Sequence, residues 1–365
     1  MGCVRATPGA KGEAMKKATL LALALLAAPI GCEETPPPAA PPPAPPAQTV
    51  ASTPPPPPEP TPEEKAKAEA EKKKAAAAQR LAADRAQWEA DSKVEAARWT
   101  DAMHAEAKKI ASAKYVTLKA ALGAALKGND RKPGNAARDV YRHPLETLAF
   151  FGLTPNMTVL EYGAGEGWYT ELLAPTLAAK GKLIETMPDP NGPADLRSTF
   201  YGQRFARFLD LSPELYGKVD RVILPPGPPK LGMENKLDMI ILCRELHGMH
   251  QDKMVPAFLA EAFKALKPGG VLGVEQHRAK PDANPDQSAK NGYLPEAWVI
   301  QQAEAAGFKL GGKSEINANP KDTKDYVDGV WTLPPTLRDK DKDRQKYLDI
   351  GESDRMTLKF VKPKK

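Results

Sequence analysis

This chain of 365 residues has few cysteines, little excess of charge of one sign and few long apolar runs. Of the 3 cysteines, Cys243 lies in an apolar run typical of buried packing, and Cys3 and Cys32 lie near the N-terminus. If Cys3 is removed with a signal segment and Cys32 is acylated, no intramolecular disulfide framework can form, and no cysteine-based metal site is expected. The formal net charge is only +6, and basic residues alternate with acidic ones. No nucleic-acid partner is therefore expected.

The apolar run Ala18 to Ile30 is too short for a membrane span. Basic residues precede it and Gly31-Cys32 ends it, a pattern similar to a bacterial lipoprotein signal. We therefore expect residues 1–31 to be a signal peptide and Cys32 to be lipidated. The chain would then be anchored in the membrane of the bacterial cell envelope and face away from the cytoplasm. Alternatively, the segment is not processed and the protein stays cytoplasmic.

Proline is abundant, with 38 residues in the chain, and it dominates residues 32–62. This composition favours an extended, disordered linker. Residues 63–128 are rich in alanine, lysine and glutamate, with apolar residues at intervals compatible with one helical face, which predicts a helical arm. The breaker-rich stretch 128–135 marks the start of the last domain, residues 129–365.

Strand-like and helix-like segments alternate in residues 129–365, which predicts an α/β fold with a doubly wound parallel sheet. Helices are expected around Trp168–Ala179, Ala194–Leu209, Lys253–Leu266 and Pro295–Ala306. Strands are expected at Met157–Tyr162, Lys182–Met187, Asp220–Leu224, Asp238–Cys243 and Val271–Glu275, with two closing strands at Phe308–Glu315 and Met356–Val361.

The most informative stretch is residues 159–170, which read VLEYGAGEGWYT. An apolar strand ending in Glu161 runs into a glycine-rich turn that opens a helix. Glycines let the backbone approach a ligand closely, and a helix start offers unpaired N–H groups. The glycine spacing is G-x-G-x-G rather than the G-x-G-x-x-G of dinucleotide loops, and the acid suits an ammonium group better than phosphates.

These residues resemble a class I S-adenosylmethionine-dependent methyltransferase, and most closely a bacterial group of predicted methyltransferases of undefined substrate. The resemblance covers residues 131–365 and implies a seven-stranded Rossmann-like sheet with an antiparallel last strand and S-adenosyl-L-methionine as cofactor. Besides the glycine motif, it rests on the pieces RDVYRHP (138–144), FFG (150–152), GWYTE (167–171), LKPGG (266–270) and QHRA (276–279).

The resemblance also implies roles for particular residues. The first loop of the family holds the methionine part of the cofactor, which assigns that role to Glu161, Gly163, Gly165 and Gly167. A second acid normally ends strand two and binds the ribose hydroxyls. Met187 stands at that position, so Glu185, or Asp189 as an alternative, is expected to bind the ribose.

The segment after strand four is the expected acceptor side, because ligands bind at the carboxyl ends of parallel strands. We expect Arg244, Glu245 and His247 to be catalytic there, with His247 or Glu245 as the base. In a structural alternative, Arg244 and Glu245 pair and His247 only packs. In a metal-site alternative, the ligands are His247, His250 and His277 with Glu245 or Asp354.

Together these patterns predict a membrane-tethered methyltransferase that acts on a small-molecule or envelope-associated acceptor. The alternative is a ligand-binding module without catalysis in the cell envelope. Export conflicts with catalysis, because a supply of S-adenosylmethionine is not expected outside the cytoplasm.

Overall fold

The computed structural model describes residues 61–339 and 341–364. The predicted signal peptide, Cys32 and nearly all of the proline-rich linker lie outside these residues. The helices are α1 Pro62–Arg98, α2 Asp101–Ser112, α3 Leu118–Leu126, α4 Asp139–Arg142, α5 Pro144–Phe151, α6 Thr170–Leu177, α7 Arg197–Asp210, α8 Pro213–Tyr216, α9 Leu246–Gln251, α10 Val255–Ala265, α11 Pro285–Ser288, α12 Glu296–Ala305 and α13 Arg344–Ile350. The strands are β1 Thr158–Tyr162, β2 Lys182–Pro188, β3 Asp220–Leu224, β4 Leu237–Cys243, β5 Leu266–His277, β6 Lys309–Ser314 and β7 Arg355–Val361.

The strands form one seven-stranded sheet in the order β3-β2-β1-β4-β5-β7-β6. Strands β1 to β5 pair in parallel, whereas β7 runs antiparallel to both β5 and β6. The order reverses direction at β1, so the crevice expected to bind a ligand lies at the carboxyl ends of β1 and β4. The predicted doubly wound α/β sheet with an antiparallel last strand is confirmed.

All seven predicted strands and all four predicted helices are present, with boundary shifts of a few residues. Strand β5 is the exception, because it begins at Leu266 rather than Val271 and includes the LKPGG stretch. Helix α6 begins at Thr170 rather than Trp168. Gly167, just before the expected start, has a φ of 84°, outside the right-handed helical region.

Apolar side chains cover both faces of the sheet. One cluster joins β4 and β5 to α10 and α12 through residues such as Ile240, Phe258 and Val299. The other joins β1 to α6 and also takes in Leu122 of α3 and Ala107 of α2. The helical arm therefore shares a core with the sheet.

Helix α1 starts at a proline and has a capping box, because the Thr61 hydroxyl accepts from the amide of Glu64 and the Glu64 carboxylate accepts from the amide of Thr61. Its Trp88 ring packs edge-on against Phe200 of α7 at a centroid distance of 5.6 Å. Over residues 61–339 and 341–364, none of the helices combines the length and apolarity needed to cross a membrane.

Candidate active site

The glycine-rich loop leaves β1 at the carboxyl edge of the sheet. Gly163 and Gly165 have φ values of 69° and 62°, in the left-handed region that favours glycine. The amide of Gly163 donates to the Thr186 hydroxyl at 3.0 Å, which ties the loop to the end of β2. A Cβ added at Gly165 would meet no atom within 4 Å, so the loop leaves open space there.

Glu166, at the end of this loop, is held from two sides. Its carboxylate accepts from Lys132 Nζ at 2.8 Å and also pairs with Arg204 of α7. These cations outweigh the effect of burial and lower the pKa of Glu166. The loop therefore carries a fixed negative charge at its rim.

Glu161 and Glu185 lie side by side in register on β1 and β2, and both are buried. The Thr170 hydroxyl donates to Glu161 at 2.9 Å. Burial, and then the neighbouring carboxylate of Glu161, raise the pKa of Glu185 well above its usual value. Burial also raises the pKa of Glu161. Both shifts favour the protonated form of the pair beneath the loop.

This pair predicts a stability change for Glu185→Gln. Above pH 4.5 the unfolded chain loses the proton that the native chain keeps, so wild-type stability falls by about 1.4 kcal/mol per pH unit until the raised pKa is reached. Glutamine is neutral at every pH and escapes this loss. We expect the variant to have the higher melting temperature at pH 7.5 and the two proteins to converge near pH 4. A variant that is less stable at pH 7.5 would contradict the raised pKa of Glu185, and exposed Glu304→Gln is the control.

Two adjoining cavities open at the carboxyl edge of the sheet, and both include residues 163–166 and Glu245 in their walls. The first, here the narrow cavity, has a volume of about 370 Å³ and is also lined by Thr186, Met187, Pro188, Tyr201, Arg204 and Phe205. The second, here the wide cavity, has a volume of about 600 Å³, and its wall includes Arg138, Arg142, Arg244, His247, His277, Trp331 and Glu352.

Strand β4 ends in a strained turn that carries the predicted acceptor residues. Arg244 has a φ of 62°, and its amide donates to the carbonyl of Glu275 at 2.7 Å. The Arg244 guanidinium bonds Glu275 at 3.1 Å, whereas Glu245 points to the loop. A Cβ added at Gly163 would lie 2.8 Å from Cγ of Glu245, so glycine is needed for this close approach. The predicted structural pairing of Arg244 with Glu245 is therefore replaced by a pair with Glu275.

Glu245 stands at the junction of the two cavities. Burial raises its pKa to about 7, although the charge of Arg244 opposes the shift. A carboxylate with a pKa near neutrality can both take and release a proton at physiological pH, which is the property required of a general base.

His247 is held in a different protonation state. Burial lowers its pKa to about 4, so the ring is neutral at pH 7. Nε2 of Gln276 donates to the carbonyl of Gly292 at 2.9 Å, which fixes the amide orientation, and the same nitrogen lies 3.4 Å from Nδ1 of His247. Nδ1 is then the acceptor and Nε2 carries the hydrogen. His247 is arranged as a donor, and Glu245 is the better placed base.

The structure does not gather the histidines into a metal site. His250 faces away from the wide cavity, because its Nε2 contacts Asp286 at 2.7 Å and its ring packs on Trp298. His277 contacts the Ser353 hydroxyl through Nδ1. Within the described part of the chain, no group of three or more His, Cys, Asp or Glu side chains is placed to hold a metal ion.

Comparison with known proteins agrees with this architecture. Residues 136–308 match a family model described as a methyltransferase domain. These residues, somewhat under half of the chain, are similar to a methyltransferase domain. The predicted likeness to methyltransferases is confirmed at this level, whereas the closer likeness to one bacterial group stays a prediction.

Three similar proteins illustrate the range of the likeness. Prosolanapyrone synthase of Alternaria solani is 28% identical over 144 residues, which cover 36% of this chain and 5% of that protein. This chain therefore spans only a small part of that relative. A SAM-dependent methyltransferase from Aquifex aeolicus is 19% identical, with 63% of this chain and 94% of that chain covered and a TM-score of 0.40. The glycopeptide N-methyltransferase MtfA in complex with S-adenosyl-L-homocysteine is 13% identical, with 61% and 90% covered and a TM-score of 0.39.

S-adenosylmethionine is the cofactor expected for such a domain, and the two cavities offer space and groups suited to parts of that molecule. The open space at Gly165, in the wall that the two cavities share, suits the methionine end. Tyr201 and Phe205 offer aromatic surface to a flat base. Met187, at the usual position of the ribose acid, supplies no carboxylate.

The predicted cofactor residues fall into two groups. Gly163 and Gly165 line both cavities. Among the described residues, the walls of these two cavities include neither Glu161, Glu185 nor Gly167. A Cβ at Gly167 would lie 2.4 Å from the Phe208 ring, so this glycine is required by packing. The direct roles assigned to Glu161, Glu185 and Gly167 stay predictions.

Sequence reasoning missed the opposite wall of the wide cavity. Val330, Trp331 and residues 334–336 come from the connection between β6 and β7, which has no regular periodicity to signal a site. Arg138 and Arg142 lay within a family-like motif but received no role. Their RxxxR spacing, which places both on one face of a helical turn, was the available signal.

Proposed function

We propose that this protein transfers a methyl group from S-adenosylmethionine to an acceptor bound in the wide cavity. The supporting observation is the junction at which the two cavities meet, between the glycine-rich loop and Glu245. One cavity is suited to the cofactor and the other is left for the acceptor. Glu245 belongs to both walls, so it faces the place where the two ligands would touch.

Methyl transfer is an in-line displacement, and the bound cofactor supplies the activated methyl group. The protein must align the acceptor and remove its proton. Glu245, whose pKa is about 7, takes that proton, and His247 donates a hydrogen bond through Nε2 that orients the acceptor.

If the glycine-rich loop binds the cofactor, Gly165→Val should strongly reduce the affinity for the cofactor. The new side chain would enter the open space at the loop, so we expect the affinity for S-adenosylhomocysteine to fall at least about tenfold in titration calorimetry. Gly232→Val is the matched control, because Gly232 has a similar φ of 65° and an equally open Cβ direction. The two variants share the same backbone strain, and equal affinities in both would remove the support for a cofactor site at the loop.

The second candidate is a ligand-binding module without catalysis. It is favoured by Met187, which provides no partner for the ribose hydroxyls. If this candidate is correct, we expect the protein to bind S-adenosylhomocysteine without methylating any acceptor. Formation of S-adenosylhomocysteine from S-adenosylmethionine in the presence of an acceptor would exclude it.

We also propose that the chain is tethered to a membrane of the cell envelope through a lipid on Cys32. The support is the sequence pattern alone, since Cys32 lies outside the described residues. Mass spectrometry of the N-terminal peptide tests the proposal, because a diacylglyceryl group on Cys32 would support the tether. An unmodified chain that retains residues 1–31 would favour the cytoplasmic alternative.

A further inference from the structure

The floor of the wide cavity is built on a cluster of buried and partly buried arginines. Glu352 accepts from Arg142 Nε at 2.9 Å and from Arg138 Nε at 3.1 Å. Arg355 Nη1 bridges Glu352 at 2.8 Å and Glu275 at 3.1 Å. Arg244 adds a second contact to Glu275. Arg138, Arg142, Arg244, Arg355, Glu275 and Glu352 thus form one network, here the arginine cluster.

The arginine cluster contains four guanidiniums and two carboxylates, which leaves two positive charges without a counter-charge. The other acids near the cavity do not supply it. Glu166 already pairs with Lys132 and Arg204 at the rim. Glu245 has a pKa of about 7, so it is only partly ionised at neutral pH.

Arg142 shows this lack of counter-charge directly. Its side chain is 2% exposed and belongs to the wall of the wide cavity, yet its Nη1 has no hydrogen-bond partner. A buried N–H group without an acceptor is unfavourable. Burial, followed by the nearby charge of Arg244, lowers the pKa of Arg142 to about 9, which agrees with an excess of positive charge.

The opposite wall has a different character. Trp331 and Val330 offer apolar surface, and the rings of His247 and Trp331 lie 5.9 Å apart. A ligand that satisfies both walls carries an anionic group at one end and an apolar body at the other.

We propose that the acceptor is a small organic acid, with its carboxylate bound by Arg142 and Arg138 and its apolar body against Trp331. This inference rests on the proposed function, because it names the acceptor class of the same site. The methionine end of the cofactor also has a carboxylate, but its ammonium group cancels that charge. The cofactor's amino-acid end therefore cannot offset the two positive charges of the arginine cluster, whereas an anionic acceptor can.

The test uses the full chain saturated with S-adenosylhomocysteine and titrated with benzoate, with neutral benzamide as the isosteric probe. We expect benzoate to bind at least about tenfold more tightly than benzamide. Arg142→Lys keeps the charge but loses the forked geometry of the guanidinium. We expect this variant to bind benzoate at least about tenfold more weakly, while its affinity for S-adenosylhomocysteine changes less than about threefold. Arg221→Lys, on a surface pair with Asp210, is the matched control and should change neither affinity.

Several outcomes would overturn the inference. One is equal binding of benzoate and benzamide. Another is an equal loss of affinity for benzoate and for S-adenosylhomocysteine in Arg142→Lys, since the carboxylate bound by Arg142 would then be that of the cofactor. If Arg142→Lys fails to fold, Arg138→Gln provides the same comparison, because Arg138 is partly exposed and bonds the same Glu352. Absence of S-adenosylhomocysteine binding in the wild type would contradict the proposed function alone, because benzoate can still be titrated against the arginine cluster.

Discussion

Replacing Glu245 by glutamine is expected to lower methyl transfer by about 10²- to 10⁴-fold, the range over which a positioned general base contributes to rate. The reason is that Glu245 lies at the junction of the two cavities and has a pKa of about 7. Glutamine has the same shape but cannot take a proton. The measurement is the initial rate of S-adenosylhomocysteine formation with a saturating acceptor.

The pH profile of the wild type gives the internal check on this prediction. Because the base must be ionised, kcat/KM should rise as the pH increases through about 7 and level off about one unit higher. In Glu245→Gln this rise should disappear, while the affinity for S-adenosylhomocysteine changes little. A variant with full activity and an unchanged profile would show that Glu245 is not the base, and His247→Gln would then be the next variant to measure.

Glu352→Gln is expected to destabilise the protein by about 3 kcal/mol at pH 7. Burial alone would raise the pKa of Glu352, but Arg142, Arg355 and Arg138 outweigh it and lower the pKa to about 2. The difference from the ordinary value of 4.5 corresponds to about 3 kcal/mol at about 1.4 kcal/mol per pH unit. A loss of this size also agrees with the cost of breaking a buried ion pair.

The sign of the pH dependence follows from the lowered pKa. The contribution of Glu352 is complete above pH 4.5 and is lost as the pH falls through about 2, so the gap between wild type and variant should shrink in that range. Urea unfolding at pH 7 and at pH 3 compares the full gap with a reduced one. Glu89→Gln, which removes an exposed pair with Arg207 at 3.7 Å, is the matched control and should cost less than about 1 kcal/mol. An equal loss of stability in both variants would contradict the contribution assigned to the buried ion pairs of Glu352.

The fold was readable from the sequence because its signals are local. Apolar runs bounded by turn residues defined the seven strands, and the glycine-rich turn after Glu161 located the crevice at β1. Strand β5 extended beyond its prediction because Leu266 pairs with Leu237 before the sheet becomes regular, a contact that no local signal reports.

The site was readable only in part. Arg244, Glu245 and His247 could be placed at the carboxyl edge because they directly follow β4. Their partners could not be predicted, since Arg244 bonds Glu275 and His247 contacts Gln276, both on the neighbouring strand β5. Local spacing carries no information on such pairs.

Glu185 illustrates a different difficulty. Its distance along the chain from the glycine-rich loop suited a ribose acid, and by strand alternation it shares a face with Met187. In the structure Glu185 is buried beside Glu161, whereas Thr186 and Met187, at the end of β2, reach the narrow cavity. The position along the strand, rather than the face, thus decides which side chain meets the ligand.

The most direct test of the central claim is a crystal structure of the full chain with S-adenosylhomocysteine. We expect the sulfur atom beside Glu245 and the glycine-rich loop, with the adenosyl group in the narrow cavity near Thr186, Met187 and Phe205. The wide cavity should remain open for an acceptor. An adenosyl group in the wide cavity, or a ligand bound away from residues 163–166, would contradict the assignment of the two cavities.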